Sequence, residues 1–329
     1  MAIGVSELNT LINSLDHDGL VRYVDGCCSS RDWTELLRVR DTCRLANDSG
    51  RQMWPITTLA NYRLALHAPA EFAVQSLDEA NTNFLFGPLS EVIAQHHSWD
   101  DLKGHLSDVH IADVVAHECG IRGADISYTP TLQVFDIPHT LQSWENQYQP
   151  PVYTDAGVQH DPPEFNGELQ PLEIAAKANV VEDRDTTSAL RAVIEPWISA
   201  SNGRAEIRGA EGGVSEALAS IGAVRARGQN ITPADAISLI TWAGSSGGAH
   251  GRRRGMASGR YSMWWCVVAL AGLTDEWPLK PDEIGDITSE FTWWQWDAYE
   301  PRSGWRLQIA AEDPTDGVTW IINAVDTAI

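Results

Sequence analysis

The chain has 329 residues, of which 43% are hydrophobic, 8% aromatic and 21% charged. That is the balance of a folded globular protein, which excludes wholesale disorder, collagen and coiled coil, and at roughly 100–200 residues per domain it predicts two domains or one large one. Forty-five acids against 23 bases leave a net charge of −22, so coating of DNA or RNA by bulk charge is not expected.

The opening residues, MAIGVSELNTLINSL, lack a basic start and carry an early acid, so no signal peptide is predicted. Residues 1–125 read as consecutive helices in a repeat-like array. Leu8, Leu11, Ile12 and Leu15 have helical spacing. Asp16-His17-Asp18 marks a helix–helix turn. A further turn is expected around Asp25–Gly26, after which Trp33, Leu36 and Leu37 begin a second face. Pro55 opens a helix carrying Ile56, Leu59, Arg63 and Leu66, and a short helix holds Phe72, Ala73 and Leu77. After a break at Gly87–Pro88, Leu89, Val92, Ile93 and His96 form the next stripe. Ile111, Val114, Val115 and Glu118 continue the pattern to Gly120. Short connections favour antiparallel neighbours, although no strict repeat period is present.

Residues 126–185 hold seven of the 16 prolines, with ten acids and two bases. They read as an irregular, acidic connecting segment, of a length that is uncommon inside a compact fold. Residues 186–329 read as an α+β domain. SALRAVIEPWIS is helical; NGRAEIRGA is a short strand with Ala205 and Ile207 on one face; GGVSEALASIGA is helical again. Thr232-Pro233-Ala234-Asp235 is a helix start with a capping hydroxyl, proline at the first position and an acid at the third. The apolar run Tyr261–Leu273 is too short for a bilayer, which needs about 20 residues, and reads as a buried helix. FTWWQWDA, GWRLQIAAED and GVTWIINAVD alternate at period two. Trp305, Leu307, Ile309 and Ala311 share one face, and Val318, Trp320, Ile322 and Ala324 share another. Turns at 300–304 and 313–317 make an antiparallel meander packed on helices. The expected fold is therefore mostly α with an α+β C-terminal domain.

One loop carries a chemical signal. Ser245-Ser246-Gly247-Gly248-Ala249-His250-Gly251-Arg252-Arg253-Arg254-Gly255 leads into a helix. Successive N–H groups in such a loop cradle an anion, and the helix N-terminus adds positive charge. Three arginines there are each disfavoured by roughly 0.3–1 kcal/mol, so a negative partner is expected nearby. Residues 201–260 hold eight arginines and four acids, a local +4 in a −22 chain. Gly247, Gly248, His250, Arg252, Arg253 and Arg254 are thus the candidate anion-binding residues, with His250 as a donor or general acid. The competing reading is structural: arginines paired with carboxylates, and Gly255 and Gly259 admitting a close helix neighbour. The loop matches neither the Walker pattern nor the dinucleotide fingerprint.

Other patterns are incomplete. His117-Glu118 begins a zinc-protease signature, but Ile121 stands where the second ligand belongs. His96-His97 and His105 with His110 could contribute metal ligands but are ordinary surface or core histidines in the simplest reading, and Glu182, Asp183 and Asp185 could bind a cation but read as a solvated cap. Ser245 or Ser246 with His250 lacks a nucleophile elbow. Trp294 and Trp296 face one side of a strand and Trp293 the other, both sides being covered in the simplest reading. Cys27, Cys28, Cys43, Cys119 and Cys266 form neither a disulfide framework nor a CxxC pair, which suits reduced thiols in a cytoplasmic protein. No metal and no cofactor is expected, and no catalytic residue is assigned.

The block WAGSSGGAHGRRRGMASGRYSMWWCVVALAGL, followed by FTWWQWDAYEPRSGWRLQIAAEDPTDGVTWIINAVD, resembles a family of uncharacterised actinobacterial proteins, a domain of unknown function. NYRLALHAPAEFAVQSL, FLFGPLSEVIAQHHSWDDLKGHL and VAHECGIRGADIS resemble its N-terminal part. The resemblance implies a bacterial, actinobacterial origin and supplies no activity. Two functions follow from the residues. One is a non-enzymatic scaffold that binds an unknown protein partner. The other is a binding or enzymatic domain for a phosphorylated small molecule, nucleotide or nucleic-acid end at the Gly/Arg loop.

Overall fold

The computed structural model describes residues 2–77, 87–127, 133–300 and 303–327. The chain divides into two compact units: Met1–Leu132 with Val152–Gln159, and Gln133–Pro151 with His160–Ile329. Pro301 and Arg302, in the turn expected at 300–304, lie outside the described residues.

The first unit is a helical array: α1 (Ala2–Ser14), α2 (His17–Ser30), α3 (Trp33–Asp48), α4 (Trp54–His67), α5 (Ala70–Ala73), α6 (Leu89–His96), α7 (Trp99–Leu102) and α8 (Val109–Ile121). Its helix starts are set by side chains. Asp16, Asp32 and Asp108 each accept N–H bonds from the first turn that follows, and Ser98 with Asp101 forms a reciprocal capping box. The turn expected at Asp25–Gly26 is absent. The buried stripe Leu20, Val24 and Cys27 carries α2 through that point, with exposed Gly26 on its outer side. The helix stops at Arg31, whose φ of 56° is left-handed, and Asp32 then caps α3.

A hairpin from the proline-rich segment, β1 (Val152–Thr154) paired with β2 (Gly157–Gln159), belongs to this unit. Gln95 holds it by accepting from Tyr153 N–H at 2.6 Å and donating to Tyr153 C=O at 3.0 Å. Tyr62 donates its hydroxyl to Thr154 C=O at 2.6 Å, and the Tyr153 hydroxyl donates to buried Glu91. Gly87 is required beside it, because a Cβ there would collide with the Tyr153 hydroxyl.

The second unit contains β3 (Gln170–Leu172), β4 (Val180–Val181), α9 (Arg184–Ser199), β5 (Arg204–Glu211), α10 (Val214–Ser220), β6 (Ala226–Ile231), α11 (Pro233–Ser245), α12 (Met256–Leu270), α13 (Pro281–Glu290), β7 (Thr292–Asp297), β8 (Trp305–Asp313) and β9 (Val318–Asp326). Thr232 caps α11 through Asp235 N–H as its sequence predicts. The strands form one antiparallel sheet of seven, ordered β3-β6-β7-β8-β9-β5-β4. Here the meander of β7, β8 and β9 is extended on both sides. The strand β6 has no period-two signature: its ARGQNI sequence lacks an apolar alternation.

Register also corrects the face assignment. Leu307 lies opposite Ala324, Ile309 opposite Ile322 and Ala311 opposite Trp320, so both apolar rows line the same face. The other face carries Trp294, Trp296, Ala310 and Ile321 and packs on Ala217 and Leu218 of α10. Trp293 and Trp296 are buried, as expected of a sheet covered on both sides.

The stretch 133–151 is fastened into this unit by charge. Arg260 of α12, fully buried, meets both Glu145 carboxylate oxygens at 2.7 Å. It also donates to the Pro138 and Thr140 carbonyls. Trp264 Nε1 and the Tyr148 hydroxyl donate to the same carboxylate at 3.0 and 2.9 Å. Burial pushes the Glu145 carboxyl up, but Arg260, the Gln142 N–H and Trp264 bring it below its ordinary value.

Candidate functional site

The Gly/Arg loop runs from the end of α11 into α12. The two helices cross closely at Gly244 and Gly259, where a Cβ on Gly259 would collide with the Thr241 carbonyl. Ser245 C=O turns the chain by accepting from Arg254 N–H at 2.9 Å and Gly255 N–H at 3.3 Å. Gly255 has φ 93° and precedes the first turn of α12. Gly247 and Gly251 lie back to back, each where a Cβ would strike the other's carbonyl. The glycines are therefore demanded by the loop's contact with itself.

The loop holds an anion, and the chain supplies it. Asp326, the last residue of β9 and fully buried, accepts from Ala249 N–H through Oδ2 at 2.6 Å. Gly248 has φ 73°, and a Cβ there would collide with that same oxygen. Among the described residues, Asp326 Oδ1 has no hydrogen-bond partner. The expected negative partner thus comes from an acid in the inward row of β9.

The arginines diverge. Arg253 is buried and donates to His160 Nδ1 at 2.6 Å. His160 Nε2 lies 3.0 Å from the Gln149 carbonyl, which fixes the neutral tautomer with its proton on Nε2. Arg254 donates to Ala192 C=O at 2.7 Å and to Ser262 Oγ at 2.8 Å. Burial lowers the Arg254 pKa from its ordinary value. Arg252 is half-buried; His250 is exposed and its N–H donates to Ser201 Oγ at 3.0 Å. The loop brings Gly247 and Gly248 to Asp326, while Arg253 and Arg254 bind separate partners.

The serines serve the fold. Ser246 Oγ accepts from Trp197 Nε1 at 2.9 Å and donates to Ala243 C=O, while Ser245 Oγ donates to Trp242 C=O. Asp183 caps α9 by accepting from Thr186 N–H at 2.8 Å. His117 Nε2 lies 4.0 Å from Asp113 Oδ2, one turn earlier on α8.

The helical unit holds a basin of about 720 Å³ that the sequence did not announce, lined in part by Cys28, Arg31, Trp33, His67, His96 and His97. His67 Nε2 lies 2.7 Å from Asp155 Oδ1, a carboxylate that also pairs with Arg63. Gln95 Nε2 lies 2.8 Å from His96 Nε2. Because the Gln95 oxygen is taken by Tyr153 N–H, its amide donates to His96, which places that imidazole's proton on Nδ1. All three histidines have lowered pKa values, first through burial, with Arg63 adding to the shift at His67 and His97 at His96. Burial raises the Cys28 thiol, so it is not an activated nucleophile. Among the described residues, these groups do not form a set of three close enough to share one metal ion.

A family model covers residues 18–328, and the chain belongs to that family, a family of unknown function (DUF6183). No curated protein and no solved structure matches the chain. The family assignment agrees with the resemblance to an uncharacterised domain and adds no chemistry to it.

Proposed function

We propose that the chain is a non-enzymatic protein-interaction scaffold. One observation carries this reading: the loop that suggests small-ligand chemistry is closed on the chain itself. Asp326 occupies the position of an anion at Ala249 N–H, and Arg253 and Arg254 are bonded to a histidine and to a main-chain carbonyl and serine. A phosphorylated ligand at this loop has to displace a buried carboxylate and withdraw two guanidiniums from existing bonds. Five free cysteines support a reducing, cytoplasmic setting.

The test is a thermal-shift screen against phosphorylated metabolites, nucleotides and short oligonucleotides, with the Arg252→Ala, Arg253→Ala, Arg254→Ala triple variant beside the unaltered chain. The scaffold reading expects no ligand-dependent shift and a variant that melts earlier unaided. A ligand at about 100 times its Kd stabilises by about 2.7 kcal/mol. Such a shift, lost in the variant, overturns the reading in favour of a phosphorylated ligand.

A further inference from the structure

We propose that the outer edge of β5 docks an acidic, extended segment of a partner protein, which adds to the sheet as a further strand. The inference rests on the scaffold reading and names its surface and the chemistry of its partner.

The edge is open for half the strand. On one side β5 pairs with β9 from Arg204 to Glu211. On the other side β4 covers only Gly209 and Ala210, with Glu211 N–H donating to Asn179 C=O at 2.9 Å. Backbone groups two residues apart in a strand point the same way. Glu211 therefore fixes the direction of Gly209, Ile207 and Ala205 as outward, away from β9. The chain of β4 leaves the edge after Val181 because Asp183 is already the cap of α9. Among the described residues, Ala205 and Ile207 are left with outward N–H and C=O groups and no neighbouring strand. The one bond made there among the described residues comes from Arg208, whose Nη1 reaches the Ile207 carbonyl at 3.3 Å.

The open stretch lies in a cavity of about 240 Å³, walled by Thr187 and Arg191 of α9 and by Ser220 and Ile221 at the end of α10. An added strand is thus flanked by a helix from each face of the sheet. Main-chain bonds supply affinity in this mode of recognition, and alternate side chains supply specificity.

Charge selects the occupant. Arg204, Glu206 and Arg208 are exposed and project from one face of the strand. Neither arginine forms an ion pair among the described residues, in a chain with 45 acids and 23 bases. Opposite-charge cross-strand pairs are favourable and like pairs unfavourable. The matching segment therefore carries acids opposite Arg204 and Arg208, four residues apart, with a basic residue between them opposite Glu206. A second copy of β5 does not meet this requirement. Antiparallel pairing centred on Glu206 sets Glu206 against Glu206 and Arg204 against Arg208. Pairing centred on Ile207 drives the copy's Ala205 into the place of Val181, and pairing centred on Ala205 leaves Arg208 opposite Asn202 instead of an acid.

The test uses the full chain and a peptide labelled with fluorescein at its C-terminus, Glu-Val-Lys-Val-Glu-Val, which runs antiparallel from opposite Arg208 and stops short of the place of Val181, followed by anisotropy. Saturable binding is expected, with affinity about tenfold lower for the peptide N-methylated on alternate amides and for the Lys-Glu-Lys counterpart. Ala205→Pro removes one outward N–H without touching the β9 ladder and is expected to weaken binding similarly. Arg208→Glu is expected to lose the acidic peptide and gain affinity for the charge-reversed one. The methylated peptide keeps the test decisive if Ala205→Pro fails to fold. No saturation up to about 1 mM, or equal binding of the methylated peptide, overturns the proposal and leaves these charges as guards against edge-to-edge aggregation. That failure, with no shift in the ligand screen, leaves the scaffold reading standing on another surface; a shift with phosphorylated ligands removes both.

Discussion

Two groups of arginines in the same C-terminal unit meet opposite fates. Arg253, Arg254 and Arg260 are drawn inward to His160, the Ala192 carbonyl and Glu145. Arg204 and Arg208 stay at the surface beside an unpaired strand edge. In sequence the first group is the more conspicuous, because Arg253 and Arg254 belong to a run of three arginines among glycines. The contrast shows that a dense cationic motif marks a place where the fold needs donors as readily as a place where a ligand does. The alternation Arg204-Ala205-Glu206-Ile207-Arg208 reads in sequence as an ordinary short strand until the sheet order leaves it at an edge.

The comparison breaks or sharpens first at Arg260. Replacing it by alanine strands the buried Glu145 carboxylate and is expected to cost about 3–5 kcal/mol, read from urea unfolding of the full chain. A loss under about 1 kcal/mol would mean that the pair is solvated and the inward group is not structural. Next comes Asp326→Ala, which leaves Ala249 N–H without its acceptor and should cost about 1–3 kcal/mol. If that variant is instead unchanged in stability and gains phosphate affinity, the loop is an anion site held shut. Arg254→Ala removes two charge-assisted bonds and should destabilise by about 1.5 kcal/mol. Arg204→Ala and Arg208→Ala should each lie within about 0.5 kcal/mol of the unaltered chain. Equal effects for the inward and outward arginines would erase the distinction.

The smallest expected effect is in pH. His67, His96 and His97 have folded pKa values below their ordinary 6.5, so below that pH the unfolded chain binds more protons. The helical unit's stability is then full above about pH 6.5 and declines as pH falls from there toward the lowered values. Glu145 likewise has a folded pKa below its ordinary 4.5, and its contribution is lost only as pH falls below about 4.5. Hydrogen exchange across pH 7 to 4 should loosen α4 and α6 before α12. Simultaneous loosening would contradict the assigned shifts.

Much of the architecture was legible from local pattern. The turn at Asp16-His17-Asp18, the cap at Thr232, the period-two rows of β8 and β9 and the apolar run of α12 are encoded within a few residues of where they act. The expectation at Asp25–Gly26 failed because turn chemistry lost to a buried stripe that continued past it. Within the site, Asp326 had a readable signal: it is the next inward position after Trp320, Ile322 and Ala324, and an acid there needs a donor. The basin had none, since Cys28, Trp33, His67 and His96 come from four separate helices.

By itself the sequence determined the helical array, the α+β character of the C-terminal part, its sheet-forming end and the glycines its tight loop requires. These follow from periodicity, capping and steric permission, which act over one or two turns of chain. Only the tertiary structure decided which acid meets which base, which face each strand row shares and which strand is left at an edge. Those outcomes depend on pairings such as Asp326 with Ala249 and Glu145 with Arg260, brought together across distances along the chain that no local preference spans.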